Sequence, residues 1–212
     1  MMNNWKITSA DVFRQGPVVP VLVIDRVEDA LPIAESLMAG GINVLEVTLR
    51  TDAAIDVIAT IAKHLPDAYI GAGTVTNRDQ LQAVTDAGAK FAISPGLTAD
   101  LLAAGIQGSI PLIPGVSNIS DLMKANDAGY DHLKFFPAEA AGGVKALKSI
   151  GGPFPNTVFC PTGGIGLNNY KEYLALPNVR CVGGSWLAPN DAIEAKQWHV
   201  LTELAKQAKA MA

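Results

Sequence analysis

Short apolar stretches alternate with longer segments rich in Ala and Leu along the whole chain. Eight stretches have the near-continuous Val, Ile, Leu and Phe content of buried strands. They are residues 18–24, 43–49, 69–74, 91–96, 110–115, 132–137, 157–164 and 179–186. A predicted helix follows each stretch, for example residues 27–40, 51–64 and 191–212. Several helices begin with Asp, Ser, Thr or Asn, which cap helix N-termini.

The repeated strand–helix order predicts a parallel sheet covered by helices, an α/β fold. Eight units in 212 residues predict a single (β/α)8 TIM barrel, with residues 1–212 forming one catalytic domain and an N-terminal helix around Val12 and Phe13. A doubly wound open sheet is the competing fold, but it usually has fewer strands and a Gly-rich first turn. The first turn here, "IDRVEDA", contains no glycine.

Charge and composition narrow the range of partners. The net charge is −4, from 16 basic and 20 acidic residues without long blocks of one sign, whereas nucleic-acid binding demands clustered basic residues. No apolar run is long enough to span a bilayer, and "MMNNWKITSADVFRQ" lacks the pattern of a signal peptide. We therefore expect a cytoplasmic protein with neither nucleic-acid nor membrane partners. Cys160 and Cys181 lie in apolar stretches and are predicted to be reduced, packed thiols.

A lysine interrupts the sixth predicted strand, in the stretch "HLKFFP". Burying an ammonium group is costly, so a buried lysine needs a partner or a function. Because side chains alternate along a strand, Lys134 shares a face with Phe136, and Glu46 shares a face with Arg50 in the second strand. If these faces point inward, Glu46 can meet Lys134 across the barrel. A purely structural ion pair and a lysine that snorkels from the sheet end are the alternatives.

Glycine pairs mark the ends of the last two predicted strands, in "PTGGI" and "GGSW". Glycine lets backbone N–H groups approach an anion, and barrels often bind phosphate at these two positions. One pair alone marks a tight turn equally well, but two pairs at consecutive strand ends favour an anion site. The predicted phosphate-binding residues are Gly163, Gly164, Gly184 and Ser185.

Other polar and terminating residues also fall at strand ends. Thr74 and Thr162 can offer hydroxyl groups to a polar substrate, while Pro95 and Pro114 terminate the fourth and fifth strands. The three histidines, at positions 64, 132 and 199, form no metal-ligand pattern. We therefore expect neither a metal nor a cofactor.

The inward-facing residues predict a reaction through a lysine adduct. A neutral lysine amine can add to a ketone and lose water, and the protonated Schiff base then draws electrons from a neighbouring C–C bond. Apolar surroundings and a nearby Arg50 both favour the neutral amine of Lys134. Glu46 can carry protons and Arg50 can bind a carboxylate. With phosphate at the far end, these roles describe a phosphorylated keto acid as the substrate.

Several motifs together resemble one family over nearly the whole chain. They are "GPVVPVLVI", "VLEVTLRT", "GAGTV", "FAISPG", "IPLIPGVS", "KFFPAEAAGGVKAL", "FCPTGGI" and "GGSWL". The chain is similar to the 2-keto-3-deoxy-6-phosphogluconate (KDPG) aldolases, also described as 4-hydroxy-2-oxoglutarate aldolases. The resemblance implies a homotrimeric class I aldolase of the Entner–Doudoroff pathway on a (β/α)8 barrel. It also implies cleavage of 2-dehydro-3-deoxy-6-phosphogluconate into pyruvate and glyceraldehyde 3-phosphate, and of 4-hydroxy-2-oxoglutarate into pyruvate and glyoxylate.

The resemblance also implies roles for individual residues. Lys134 would form the Schiff base, Glu46 would be the general acid and base, and Arg50 would bind the pyruvoyl carboxylate. The residues implied to line the pyruvate pocket are Thr74, Pro95 and Phe136, and the two glycine pairs fall where the family binds phosphate. Two alternatives stay open: an aldolase for the galactonate epimer of the substrate, and a barrel that binds or isomerises sugar phosphates.

Overall fold

The computed structural model describes residues 4–210 of the chain. Parallel strands occupy the centre of the fold and helices cover them. The strands are β1 (Val18–Leu22), β2 (Val44–Thr48), β3 (Tyr69–Gly73), β4 (Phe91–Ile93), β5 (Leu112–Ile113), β6 (Gly115–Val116), β7 (His132–Phe135), β8 (Val158–Pro161) and β9 (Val182–Gly184). The helices are α1 (Ser9–Phe13), α2 (Ala30–Ala39), α3 (Ala54–His64), α4 (Arg78–Asp86), α5 (Ala99–Gln107), α6 (Ile119–Asp127), α7 (Gly143–Ile150), α8 (Tyr170–Leu174), α9 (Asn190–Glu194) and α10 (Trp198–Ala210). A 3-10 turn at Val27–Asp29 precedes α2.

Each of the eight predicted strand segments contains an observed strand, and the fifth contains β5 and the first residue of β6. Pro114 separates β5 from β6, because proline has no N–H group with which to continue the ladder. All strand pairs are parallel. They form a six-stranded sheet in the order β5-β4-β3-β2-β1-β9 and a three-stranded sheet in the order β6-β7-β8. The prediction of an α/β fold with parallel strands is confirmed.

The two sheets approach one another at β8 and β9. Isolated parallel bridges join Phe159 to Val179 and Thr162 to Gly183. The turns that follow β8 and β9 therefore lie side by side. Since all strands run parallel, their carboxyl ends, with the residues predicted to bind substrate, lie along a common edge.

Local sequence explains where several helices begin. The side chains of Asn77, Thr98 and Asn118 each accept a backbone N–H bond three residues further on, at the starts of α4, α5 and α6. The predicted N-terminal helix is present as α1, and it opens with a capping box. In that box, the Thr8 hydroxyl accepts from the Asp11 N–H and the Asp11 carboxylate accepts from the Thr8 N–H.

The prediction of one continuous C-terminal helix over residues 191–212 is wrong. The chain forms α9 and α10 instead, and Lys196 between them has a φ of 54°, in the left-handed region that an α-helix cannot include. The last two predicted positions, 211–212, lie outside the described residues, as do residues 1–3 of the N-terminal stretch. Within the described part, no helix is long and apolar enough to cross a membrane.

The interior is apolar with few exceptions. Phe91, Phe135 and Phe159 are fully buried, and the rings of Phe135 and Phe159 meet edge to face with centroids 6.3 Å apart. Glu46 and Lys134 are also buried. They carry opposite charges, and their side chains bond to each other. Buried charges of this kind are rare in proteins and are paired where they occur.

Candidate active site

Lys134 of β7 and Glu46 of β2 meet inside the fold. The Nζ atom of Lys134 lies 3.0 Å from Oε1 of Glu46, and the side chains are 8% and 1% exposed. The alternation of each strand turns these two side chains inward, as the sequence predicted. The pair is buried but not sealed, since a small part of Lys134 reaches solvent.

Two glycines on β3 make room for this pair and its surroundings. A Cβ atom at Gly73 would overlap the Glu46 carboxylate, and one at Gly71 would overlap the Phe91 ring. Gly73 therefore sets how closely the Glu46 side chain can lie against β3. This role was not predicted from the sequence, although glycines at two positions of one strand face are a readable signal of close approach.

Phe136 lies next to the lysine. Its half-buried ring has its centroid 5.5 Å from Nζ of Lys134, within the range of a cation–π contact. The ring thus provides an apolar wall on which an adduct of Lys134 can rest.

Thr74 and Pro95 are both half-buried and follow β3 and β4 at the same edge. Thr74 has a φ of 60°, which is a strained conformation for a β-branched residue. Such strain clusters at ligand-binding sites. Pro95 has its carbonyl group packed against Gly115, where a Cβ atom would overlap it. The backbone of β6 therefore holds Pro95 in position.

Arg50 is not joined to the buried pair. It lies two residues beyond β2, it is exposed, and its guanidinium forms no hydrogen bond or salt bridge with the residues that the structure describes. The turn beside it is anchored, because the Thr51 hydroxyl donates to the Ile24 carbonyl at 2.8 Å. The guanidinium is thus available to an anion at the strand ends.

The residues that follow β8 form a turn with unusual backbone. Gly163 and Gly164 have φ values of 102° and 76°, which favour glycine. The hydroxyl of the preceding residue, Thr162, is buried and has no hydrogen-bond partner in the described structure. Such an orphaned buried group calls for an explanation, and a ligand is one.

The second glycine pair lies beside the first. Gly183 bridges to Thr162, and a Cβ atom on Gly183 would overlap the Thr162 hydroxyl. A Cβ atom on Gly184 would overlap the Trp186 ring, while Ser185 is exposed at the edge. The structure therefore brings Thr162, both glycine pairs and Ser185 together at one place. The role of Gly183 as the residue that admits Thr162 was also missed from the sequence.

Both cysteines are free and buried. Cys160 is the strand partner of Lys134 in the β7–β8 ladder. Burial raises the pKa of the Cys181 thiol, and the neighbouring Cys160 raises it further. Cys181 therefore stays protonated and unreactive near neutral pH. Among residues 4–210, no group of three or more His, Cys, Asp or Glu side chains is placed to hold a metal ion.

This geometry permits amine chemistry at Lys134. Transfer of one proton from the ammonium to the Glu46 carboxylate, over the 3.0 Å hydrogen bond, produces the nucleophilic amine and a neutral acid side by side. The acid can then deliver that proton to a carbonyl oxygen that the amine attacks. One buried hydrogen bond thus supplies both partners of carbinolamine formation.

Comparison with known proteins gives matches over nearly the whole chain. The profile of the family described as "Aldolase: KDPG and KHG aldolase" matches residues 10–204. A 2-dehydro-3-deoxy-phosphogluconate aldolase of Pseudoalteromonas atlantica is 68% identical over 210 residues, covering 99% of this chain and 98% of the relative. The KHG/KDPG aldolase of Escherichia coli K12 is 57% identical over 207 residues, covering 98% of this chain and 97% of the relative.

A solved structure is similarly close. The KDPG aldolase from Legionella pneumophila, with pyruvate captured at low pH as a covalent carbinolamine intermediate, is 55% identical to this chain. It superposes with a TM-score of 0.96 over 97% of this chain and 100% of that one. These matches confirm the resemblance that the strand-end motifs indicated.

Proposed function

The chain belongs to the KDPG and KHG aldolase family, and on this premise we propose that Lys134 carries the Schiff base of its reaction and Glu46 its proton transfers. As a member of that family, the protein is a carbon–carbon lyase that cleaves 2-dehydro-3-deoxy-6-phosphogluconate into pyruvate and glyceraldehyde 3-phosphate. It likewise cleaves 4-hydroxy-2-oxoglutarate into pyruvate and glyoxylate. The observation that carries the residue assignment is the buried 3.0 Å hydrogen bond between the two side chains.

Each step of the cleavage uses this pair. The amine of Lys134 adds to the C2 ketone, and Glu46 protonates the departing oxygen as water leaves, which forms the iminium ion. The Glu46 carboxylate then takes the proton of the C4 hydroxyl, directly or through a water. The C3–C4 bond breaks, its electrons neutralise the iminium nitrogen, and the aldehyde departs. Glu46 protonates C3 of the enamine, and water hydrolyses the resulting iminium to pyruvate and the free lysine.

The pyruvate half of the substrate lies between Lys134 and the adjoining strand ends in this proposal. Arg50 binds the carboxylate, since its guanidinium is exposed and unpaired with other described residues. Thr74, Pro95 and Phe136 line the pocket. The Phe136 ring, 5.5 Å from Nζ, shields the iminium from water on one face.

The phosphate lies at the glycine turns after β8 and β9. Gly163, Gly164 and Gly184 let the backbone approach it, and Ser185 adds a hydroxyl donor. The orphaned Thr162 hydroxyl belongs to the first of these turns and donates to the substrate in this proposal. This arrangement accounts for a substrate with a carboxylate at one end and a phosphate at the other.

We propose further that the two sheets form a closed (β/α)8 barrel in a single domain of residues 1–212. In this interpretation β5 and β6 are one strand interrupted at Pro114, and the bridges between β8 and β9 close the ring. Together with the β1–β9 pairing, this leaves every strand with two neighbours.

We also propose that the protein works in the cytoplasm, in the Entner–Doudoroff pathway, as a homotrimer. Ile119 and Met123 on α6 are 43% and 52% exposed, and association of subunits is one way to cover them. Sedimentation velocity distinguishes a trimer from a monomer.

Borohydride trapping tests the central assignment. The protein is incubated with pyruvate, reduced, digested and analysed by mass spectrometry. We expect a single reduced pyruvyl adduct, on Lys134. A Lys145→Met variant, which removes an exposed lysine of α7, should give the same adduct. An adduct on another lysine, or none, would overturn the assignment.

A further inference from the structure

The turn after β8, residues 162–166, is fixed by hydrogen bonds that its carbonyl groups accept from neighbouring segments. The carbonyl of Thr162 accepts from the Ala138 N–H at 2.8 Å, and that of Gly163 accepts from the Glu139 N–H at 3.1 Å. The segment that leaves β7 therefore runs along this turn and pairs with it. One element thus connects the end of the Lys134 strand with the turn that we assign to phosphate.

The next carbonyl is held from the other side. The Nδ2 group of Asn169 donates to the Gly164 carbonyl at 3.1 Å, and Oδ1 of Asn169 accepts from the Gly166 N–H at 2.9 Å. By contrast, the N–H groups of Gly164 and Ile165 have no acceptor among residues 4–210. Two neighbouring donors are therefore left for a ligand.

Peptide planarity connects these two observations. Within one trans peptide, the carbonyl of a residue and the N–H of the next point in opposite directions. Fixing the Gly163 carbonyl toward Glu139 therefore points the Gly164 N–H away from Glu139. In the same way, the hydrogen bond that fixes the Gly164 carbonyl toward Asn169 points the Ile165 N–H away from Asn169. The direction of the free donors depends on the groups that hold the carbonyls.

The side chain of Glu139 also packs directly against the turn. A Cβ atom on Gly164 would lie 2.6 Å from Cγ of Glu139, so this residue abuts the turn directly. Gly164 has the positive φ that the bend requires, and no larger residue fits there without displacing Glu139. Movement of the Glu139 side chain would therefore free the turn.

Tyr173 fixes that side chain. Its ring is fully buried on α8, and its hydroxyl donates to Oε1 of Glu139. Burial, reinforced by Glu139, raises the pKa of Tyr173, so the phenol keeps its proton and remains a donor at neutral pH. Gly143 lies close to both groups, since a Cβ atom there would be 3.1 Å from the Tyr173 hydroxyl and 3.3 Å from Oε1 of Glu139. The contact is therefore enclosed on the α7 side as well.

We infer that Glu139 and Tyr173 are positioning residues for substrate phosphate: they hold the Gly163–Gly164 turn so that its free N–H groups face the anion. Neither residue touches the substrate in this arrangement. The inference rests on the proposed function, because it assigns the turn to the phosphate of the cleaved keto acid. It concerns the phosphate end of the substrate, whereas Arg50, Thr74 and Pro95 at the pyruvate end follow β2, β3 and β4.

Tyr173→Phe tests the inference, because it removes one oxygen atom and leaves the packing intact. We expect the KM for 2-dehydro-3-deoxy-6-phosphogluconate to rise about tenfold, as for loss of a hydrogen bond to a charged group. The kcat/KM for 4-hydroxy-2-oxoglutarate, which has no phosphate, should stay within about twofold of the parent. Inhibition by inorganic phosphate should weaken in parallel with the KM for the phosphorylated substrate.

Three further variants sharpen the result. Tyr170→Phe is the matched control, because Tyr170 is a buried tyrosine on the same helix whose hydroxyl has no partner among the described residues. It should leave activity on both substrates unaffected. Glu139→Gln keeps an acceptor oxygen and should retain more phosphate affinity than Glu139→Ala. A smaller loss of phosphate affinity in Glu139→Gln than in Glu139→Ala would show that the side chain acts by positioning the turn, and not through a general effect on folding.

Three outcomes would overturn the inference, and they are distinguishable. Equal loss on both substrates in Tyr173→Phe would indicate a purely structural role. No loss on either substrate would show that the turn does not need the contact. A parent protein that neither cleaves the phosphorylated substrate nor traps pyruvate would overturn the proposed function together with this inference, whereas an active parent confines the failure to Tyr173.

Discussion

Lys134 and Glu46 form a buried hydrogen bond of 3.0 Å between residues 88 positions apart in the sequence. Desolvation of two charges offsets much of their attraction, so a pair of this kind contributes little to stability compared with apolar residues of similar size. The same hydrogen bond joins the Lys134 amine, in its protonated form, to a carboxylate that can accept its proton. Its position is therefore better explained by chemistry than by stability.

Replacing one residue of the pair should lower the free energy of unfolding strongly, whereas replacing both residues should lower it little. Lys134→Met leaves the Glu46 charge buried and unpaired, so we expect the free energy of unfolding to fall by about 3–5 kcal/mol at neutral pH. Adding Glu46→Gln to that variant should restore most of the loss. Urea unfolding followed by circular dichroism measures both values. A double variant as unstable as Lys134→Met would show that packing, not the orphaned charge, causes the loss.

Glu46→Gln alone separates binding of the amine to pyruvate from proton transfer. The amide cannot act as a base, so kcat for cleavage should drop about 10²–10⁴-fold. Lys134 remains able to form an imine slowly, so borohydride should still trap pyruvate on it. The check is a comparison of steady-state turnover with adduct yield after long incubation. Full turnover in this variant would remove Glu46 from its proposed role.

The sequence was informative where a residue violated its local pattern. A lysine and a glutamate in otherwise apolar strands are rare enough to identify both members of the pair, and strand alternation correctly turned them inward. The strands themselves were predictable because near-continuous apolar runs are typical of parallel sheets. Their existence was clearer than their ends, since Pro114 divides the fifth strand in the structure.

Features that depend on distant neighbours were not predictable. The break at Lys196 lies in "EAKQW", where Ala, Lys and Gln all favour a helix, so tertiary packing overrides local propensity there. The contact of Tyr173 with Glu139 joins side chains 34 residues apart, and neither residue breaks its local pattern. Gly73 is explained only by Glu46, which arrives from another strand.

Gly73→Ala should damage catalysis more than stability. A Cβ atom at this position would overlap the Glu46 carboxylate, so that side chain must move away from the reacting atoms. Displacement of a catalytic group by about 1 Å can cost roughly 10²-fold in rate, so we expect kcat to fall by about that factor. Gly96→Ala is the matched control, because its Cβ atom would meet no atom of residues 4–210 within 4 Å. Similar kinetics in both variants would contradict the proposed role of Gly73.

Thr162→Val should raise the free energy of unfolding and weaken binding of the phosphorylated substrate. The Thr162 hydroxyl is buried without a hydrogen-bond partner in the described part of the chain, and an unsatisfied group of this kind costs about 1–3 kcal/mol. Valine has nearly the same shape, so the free energy of unfolding should rise by about 1 kcal/mol without ligand. Because the proposed contact to substrate is lost, the KM for the phosphorylated keto acid should rise. Thr157→Val is the contrasting control, since the Thr157 hydroxyl is hydrogen-bonded to Asn126 and its loss should destabilise the fold. If Thr162→Val were destabilised as much as Thr157→Val, the hydroxyl of Thr162 would have a structural partner, and its assignment to the substrate would fail.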